Sequence, residues 1–460
     1  MKQFLAAIFI IGFLIPVKTA QAADSKIVEY QNDAVFDFPN SISFTADLGW
    51  TTDIKKVRLH YGSKQDSFGS VGGVAYPDFD NGKRIEVNWE WDMRQSGGEP
   101  PGATIWWMWE LTDKQGNVTF TSRQEKTWLD DQHNWKTLSE GLIRLHYYYP
   151  DSSYGEELKN TAVQALEHLE NDIGIAPEDP IDLYIYSSTQ EMRDAIFYEP
   201  GWTGGLAYPQ YNILIIGIDP LNMEWGKVTE AHELTHVLVG DYTFSSLGSI
   251  PTWLNEGLAV YGEGGPNSME AAHFEQNRMD DNLLSFKVLS GGFSEDPSVA
   301  DLSYSQSYYM VEYLLITYGK TKMLALLQEL KNGEEIEEGL KKVYGFSLSV
   351  FEDEWRGSLE LEQRPEESTS TMKTPTIVPT IQPIGGSSGS SKTESRVPDR
   401  GGEEIGQAAG VTNARSILVQ REGINENGQN RSNSLLLTAG LACVALVFTM
   451  LALKAKRGMK

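Results

Sequence analysis

The stretch His232-Glu233-Leu234-Thr235-His236 is the most informative part of this sequence. In a helix, side chains four positions apart lie above one another on one face, so both imidazoles can bind one small cation. Glu233 then lies beside the cation, where it can take a proton from a water molecule. Two imidazoles with an open position are typical of catalytic zinc, which acidifies water to a pKa of about 7. The stretch therefore predicts a metal-binding helix over about residues 223–239.

An ordinary solvated helix face is the alternative interpretation of this motif. Histidine is scarce, at 7 of 460 residues, so a chance pair at this spacing around a glutamate is uncommon. A catalytic zinc site also needs a third protein ligand. Glu256 is the candidate, in a segment that begins with Pro251, a residue suited to a helix start. The alternative role for Glu256 is a carboxylate that interacts with the dipole of its own helix.

These segments resemble the gluzincin metallopeptidases. Trp253-Leu254-Asn255-Glu256-Gly257-Leu258-Ala259 is similar to the third-ligand segment of the aminopeptidase N-like branch, and the wider region looks like the peptidase MA-like family. The resemblance implies that Glu256 completes the zinc site with the two histidines and that Glu233 is the general base. It implies an α+β zincin-like metallopeptidase domain over residues 135–362, with the active-site helix under a small sheet, and a peptide or protein substrate.

The resemblance also implies a tyrosine that stabilises the oxyanion formed when water attacks a peptide carbonyl. Tyr304, followed by Ser305-Gln306-Ser307, is the nearest equivalent and is expected to open a helix. Tyr308 and Tyr309 remain alternatives, as does an ordinary packing role.

Two further sequence features bear on the site. Gly204-Gly205-Leu206-Ala207-Tyr208 precedes a β-rich run, and in the resembling families an edge strand here pairs with extended substrate; a plain glycine turn is equally possible. Aminopeptidase N-like enzymes bind the free amine with a Glu of a Gly-x-Met-Glu-Asn segment, which this stretch lacks. We therefore expect an endopeptidase rather than an aminopeptidase. Glu263 or Asp241 could orient a ligand histidine.

Residues 23–130 show the alternation of short strands. The clearest run has apolar side chains at every second position: Ile85, Val87, Trp89, Trp91 and Met93. Turns rich in Gly, Pro and Asn separate such runs, which predicts an all-β sandwich of Ig or fibronectin type III character. Its tryptophans either pack in the core or form a platform for sugars.

The ends of the chain predict its location. Residues 1–22 have the basic start, apolar stretch and small-residue cleavage site of a signal peptide. Residues 363–433 are rich in Ser, Thr, Pro and Gly, which predicts a disordered linker. Residues 435–453 carry no charge and would span about 28 Å as a helix, close to the thickness of a bilayer core. The basic tail 454–460 predicts a cytoplasmic end, and therefore a single-pass membrane protein with an extracellular catalytic domain.

Charge and cysteine content narrow the function. The formal net charge of -26 argues against nucleic acid as a partner. The single cysteine, Cys443, lies in the predicted span, so the globular part has no disulfides. The function predicted is that of a membrane-anchored zinc metallopeptidase. The alternative is a zinc-stabilised, non-catalytic surface module that binds protein or glycan through the sandwich.

Overall fold

The computed structural model describes residues 27–65, 69–96, 98–197, 203–245 and 247–364. The N-terminal part is β-rich, as predicted. Its elements are β1 Val28–Asp37, β2 Ser41–Gln65, β3 Gly69–Ala75, β4 Gly82–Asp92, α1 Met93–Ser96, β5 Thr104–Asp113, β6 Val118–Phe120 and β7 Gln124–Thr127.

The long strand β2 organises the N-terminal domain. Its first half pairs with β1 and β4, and its second half pairs with β3 and β5, all antiparallel. Phe44 from the first half lies 5.6 Å from the ring of Trp107 on β5, so the two halves pack against each other around one core. Trp107, Trp109 and Trp128 are buried in that core, which assigns these tryptophans to packing rather than to a sugar platform.

The second part mixes a small sheet with many helices. The sheet segment comprises β8 Lys136–Glu140, β9 Ile143–Tyr147, α2 Ser152–Asp172, β10 Ile181–Tyr186, α3 Thr189–Asp194, β11 Gly205–Tyr208 and β12 Ile213–Gly217. Short 3-10 turns cover Pro209–Tyr211 and Pro220–Asn222. The helices that follow are α4 Met223–Tyr242, α5 Thr252–Gly262, α6 Ser268–Met279, α7 Phe286–Leu289, α8 Pro297–Tyr318, α9 Lys320–Lys331, α10 Ile336–Val343 and α11 Leu348–Ser358.

The central strands of the second sheet, β10 and β12, are buried on both faces. Its strand order is β11-β12-β10-β9-β8, with β11 an antiparallel edge strand. Leu214 and Ile216 of β12 pack on the side of α2 and α4, whereas Ile213 and Ile215 face a cluster that also includes Phe38 of the N-terminal domain. Helix α4 therefore lies under the sheet, as expected, and Phe38 of the N-terminal domain packs in the cluster on the opposite face.

Two element boundaries differ from the sequence prediction. Helix α8 begins at Pro297 rather than near Tyr304, because the Asp296 side chain accepts hydrogen bonds from the first helical amides and proline suits the first position. Met93 was expected in a strand but begins the short helix α1.

The predicted signal peptide, membrane span and cytoplasmic tail lie outside the described residues, as does nearly all of the predicted linker. Within the described part of the chain, no helix combines the length and the apolar character that crossing a membrane requires.

Candidate metal centre

Helix α4 brings His232 and His236 together. The residues lie one turn apart on the same helix face, and each is 1% exposed. Their Nε2 atoms face each other at 3.1 Å. Two ring nitrogens that meet in a buried site are well placed to share a small cation.

Helix α5 carries Glu256 to the same point because two glycines let it approach its neighbours. A Cβ on Gly257 would lie 2.4 Å from the carbonyl oxygen of Ser307 on α8. A Cβ on Gly262 would lie 2.1 Å from Oγ1 of Thr235 on α4. Any larger residue would separate the helices, so these glycines position the Glu256 carboxylate against the histidines.

The three side chains have the spacing of a tetrahedral site. Oε2 of Glu256 lies 3.5 Å from Nε2 of His232 and 3.4 Å from Nε2 of His236. Tetrahedral zinc with bonds of about 2.0–2.1 Å holds its ligand atoms about 3.3–3.4 Å apart. The residues thus fit zinc, and among the described residues they form the single cluster of three metal-binding groups.

Charge complementarity holds these groups together. Burial disfavours the charged form of His232, but its contacts with Glu256 and Glu263 outweigh burial and raise its pKa well above the usual value. Burial would raise the pKa of the Glu256 carboxyl, whereas the two histidines lower it to about 2. The carboxylate is therefore ionised near neutral pH, in the form that binds a metal ion.

Glu263 contacts the outer nitrogen of a ligand histidine. Its Oε2 lies 3.1 Å from Nδ1 of His232. If Nδ1 carries the proton, the opposite nitrogen presents its lone pair to the metal position. Burial raises the pKa of Glu263, and His232 offsets part of that effect. The other carboxylate considered from sequence, Asp241, lies in the last turn of α4.

The Glu233 side chain lies beside the edge of the sheet. It is fully buried. A Cβ on Gly205, the first residue of β11, would lie 2.9 Å from Cγ of Glu233 and 3.2 Å from its Oε1. The stretch considered as a possible glycine turn therefore forms an edge strand that runs beside this carboxylate, and Gly205 leaves room for it.

Of the three tyrosines considered from sequence, Tyr304 packs against the candidate ligand His232. Its ring centroid is 6.3 Å from that of His232. Tyr308 donates a hydrogen bond to Glu312 at 2.8 Å. The ring centroid of Tyr309 lies 4.1 Å from that of Phe274.

Helix α4 carries a further buried carboxyl group that the sequence did not single out. Glu230 is fully buried, and neither carboxyl oxygen has a hydrogen-bond partner among the described residues. Burial raises its pKa well above the usual value. It lies two positions before His232, about 200° around the helix, so it faces away from the metal position. The sequence signal that could have identified Glu230 is a charged residue on the helix face opposite His232.

Comparisons with known proteins were made for the sequence and for the fold. No curated protein matches the sequence significantly. Among solved structures, the chain is similar to an M1 zinc metallopeptidase from Deinococcus radiodurans, with 12% identity, 75% of this chain and 92% of that chain covered, and a TM-score of 0.29. It is also similar to an aminopeptidase N family protein from Idiomarina loihiensis, with 11% identity, 73% of this chain and 76% of that chain covered, and a TM-score of 0.36. TM-scores this low establish no shared fold.

The match to a protein family is independent of those structures. Residues 161–361 match the model of the Peptidase MA superfamily, a span that includes α4, α5 and α8 and therefore every residue of the centre described above. The match confirms the resemblance drawn from the sequence and supports a peptidase. Over residues 161–361, this chain is therefore similar to the Peptidase MA superfamily.

Proposed function

We propose that this protein is a membrane-anchored extracellular zinc metallopeptidase that hydrolyses peptide bonds. The observation that carries the proposal is the buried carboxylate of Glu233 on the same helix as His232 and His236, which form a cluster with Glu256. A purely structural zinc site is normally closed by four protein ligands and needs no such carboxylate. Cleavage of a mixed peptide library by the purified chain, lost with a chelator and regained with zinc, tests the proposal.

Each residue of the centre has a separate role in this proposal. The two histidines and Glu256 would hold zinc, which would act as a Lewis acid that polarises the substrate carbonyl and acidifies water. Glu233 takes a proton from the attacking water and later donates it to the leaving amine. Glu263 holds the ring of His232 in one orientation. Tyr304 donates a hydrogen bond to the oxyanion that develops on the carbonyl.

Replacing Tyr304 by Phe tests the last of these roles. We expect kcat to fall about 100-fold, because one donor to a developing oxyanion contributes about 10²–10³ in rate, with zinc content unchanged. Tyr308→Phe is the matched control, since it removes a hydroxyl one turn further along α8 that bonds Glu312 instead. A kcat that falls only in Tyr308→Phe would transfer the role to that residue.

We propose cleavage inside peptides rather than at the amino terminus. The edge strand β11 can pair with an extended chain through its backbone, which does not require a free amine. The stretch Gly204-Gly205-Leu206-Ala207-Tyr208 has no carboxylate that would pair with an ammonium group.

Acetylating the amino terminus of a cleaved peptide should therefore leave kcat/KM within about three-fold, since less than about 1 kcal/mol of binding would be lost. The unmodified peptide of the same sequence is the control, and mass spectrometry locates the cut. Loss of most of the turnover on acetylation would mean that the enzyme binds the amine.

The remaining parts of the proposal concern the whole chain. The signal peptide over residues 1–22 and the apolar span over residues 435–453 support a catalytic domain outside the cell, with residues 454–460 inside. The packed halves of the N-terminal domain support a sandwich of Ig or fibronectin type III character.

Protease added to intact cells should release a soluble, folded, zinc-containing fragment by cutting between about residues 365 and 433, because polar, Pro- and Gly-rich segments are cut most readily. Cells lysed before protease treatment give the reference pattern. A fragment that appears only after lysis would place the domain inside the cell.

A further inference from the structure

The N-terminal domain contacts the loop that follows the edge strand β11. Tyr211 lies in the 3-10 turn between β11 and β12. Its hydroxyl donates a hydrogen bond to Oε2 of Glu99 in the N-terminal domain. Nε2 of Gln65 donates a hydrogen bond to the same hydroxyl at 2.8 Å, and Oγ of Ser63 lies 3.1 Å from that hydroxyl oxygen. Three side chains of one domain thus converge on a single hydroxyl of the other.

The ring of Tyr211, unlike its hydroxyl, has apolar surroundings. It packs against the core of the N-terminal domain and against the cluster on the outer face of the sheet. Burial raises the pKa of Glu99, and the hydrogen bond from Tyr211 offsets part of that effect. Glu99 is partly buried, and a carboxyl group shielded from water is destabilised when it loses its donor, so this contact holds the turn firmly.

The other side of the same turn rests on the metal-binding helix. A Cβ on Gly240 of α4 would lie 2.4 Å from Cγ of Pro209, so the proline ring lies directly on that helix. The turn Pro209–Tyr211 is therefore held between α4 and the N-terminal domain. The strand that leads into it begins at Gly205, beside Glu233. Any displacement of the turn would shift the strand relative to the general base.

We propose that Tyr211 and Glu99 are positioning residues through which the N-terminal domain holds β11 in the conformation that binds substrate. The proposal rests on the proposed peptidase function. An edge strand that is already in place costs nothing to order when a peptide pairs with it, whereas a loosened strand must be ordered at the expense of binding. The N-terminal domain would then contribute to substrate affinity without touching substrate.

The test compares Tyr211→Phe with Tyr318→Phe in the full-length protein. Tyr211→Phe keeps the ring and loses the hydroxyl. We expect KM to rise about ten-fold, as for loss of one hydrogen bond to a buried carboxyl group, with kcat within about three-fold of wild type. Tyr318 is the last residue of α8, and its hydroxyl donates a hydrogen bond to Glu354 of α11. Tyr318→Phe removes that hydroxyl and should leave KM and kcat unchanged.

Glu99 provides the rescue arm of the same experiment. Glu99→Ala should raise KM as Tyr211→Phe does, whereas Glu99→Gln retains an acceptor for the tyrosine and should stay close to wild type. Hydrogen exchange of residues 205–217, measured without substrate, should be faster in Tyr211→Phe and Glu99→Ala alone. This readout is independent of activity, so it distinguishes failure of the positioning role from failure of the proposed function. Unchanged exchange together with unchanged KM would overturn the proposal.

Discussion

Glu233→Gln should retain about one zinc ion per chain and lose at least about 100-fold in kcat/KM. General acid-base catalysis by a positioned side chain contributes about 10²–10⁴ in rate, and an amide cannot accept the proton of the attacking water. The ligand atoms do not include Glu233, so the metal should remain. Metal analysis of the purified variant and its turnover of a peptide cleaved by wild type measure both effects.

Glu224→Gln is the matched control on the same helix. Glu224 lies in the first turn of α4, and its side chain is 90% exposed and pairs with Lys227. Its amide variant should behave as wild type in both assays. Wild-type turnover by Glu233→Gln would exclude the mechanism, and loss of zinc from that variant would assign Glu233 to the metal site itself.

Glu256→Ala should lose bound zinc, and with it all measurable peptide hydrolysis. Removing a residue that only supports a metal ligand costs about 10–100-fold in metal affinity, so removing a ligand should cost at least about 100-fold. The loss should also lower the melting temperature relative to zinc-loaded wild type, because a metal that binds only the folded state stabilises it. Zinc titration and thermal unfolding measure the two effects.

Two further variants serve as comparisons for the zinc content of Glu256→Ala. His232→Ala should match Glu256→Ala in zinc content, since both side chains supply a ligand atom to the same point. Glu263→Gln should retain more zinc than either, because Glu263 contacts only the outer nitrogen of His232. Full zinc retention in Glu256→Ala would remove Glu256 from the ligand set and leave its carboxylate as a partner of the helix dipole.

The sequence by itself predicted the helix that carries the two histidines and the alternation of the β-rich domain. Both patterns depend on residues only a few positions apart, because helix and strand periodicities are properties of the local backbone. The spacing of His232 and His236 therefore predicts their shared face before any tertiary contact is known.

Only the tertiary structure decided how these elements meet. Nothing local to Gly257 or Gly262 shows that other helices approach them closely, and the sequence leaves Tyr308 as an alternative to Tyr304, whose ring packs against His232. The contact of Glu99 with Tyr211 joins residues separated by 112 positions. Such distances result from the packing of all the helices and strands around common cores, where each side chain occupies the volume that the others leave.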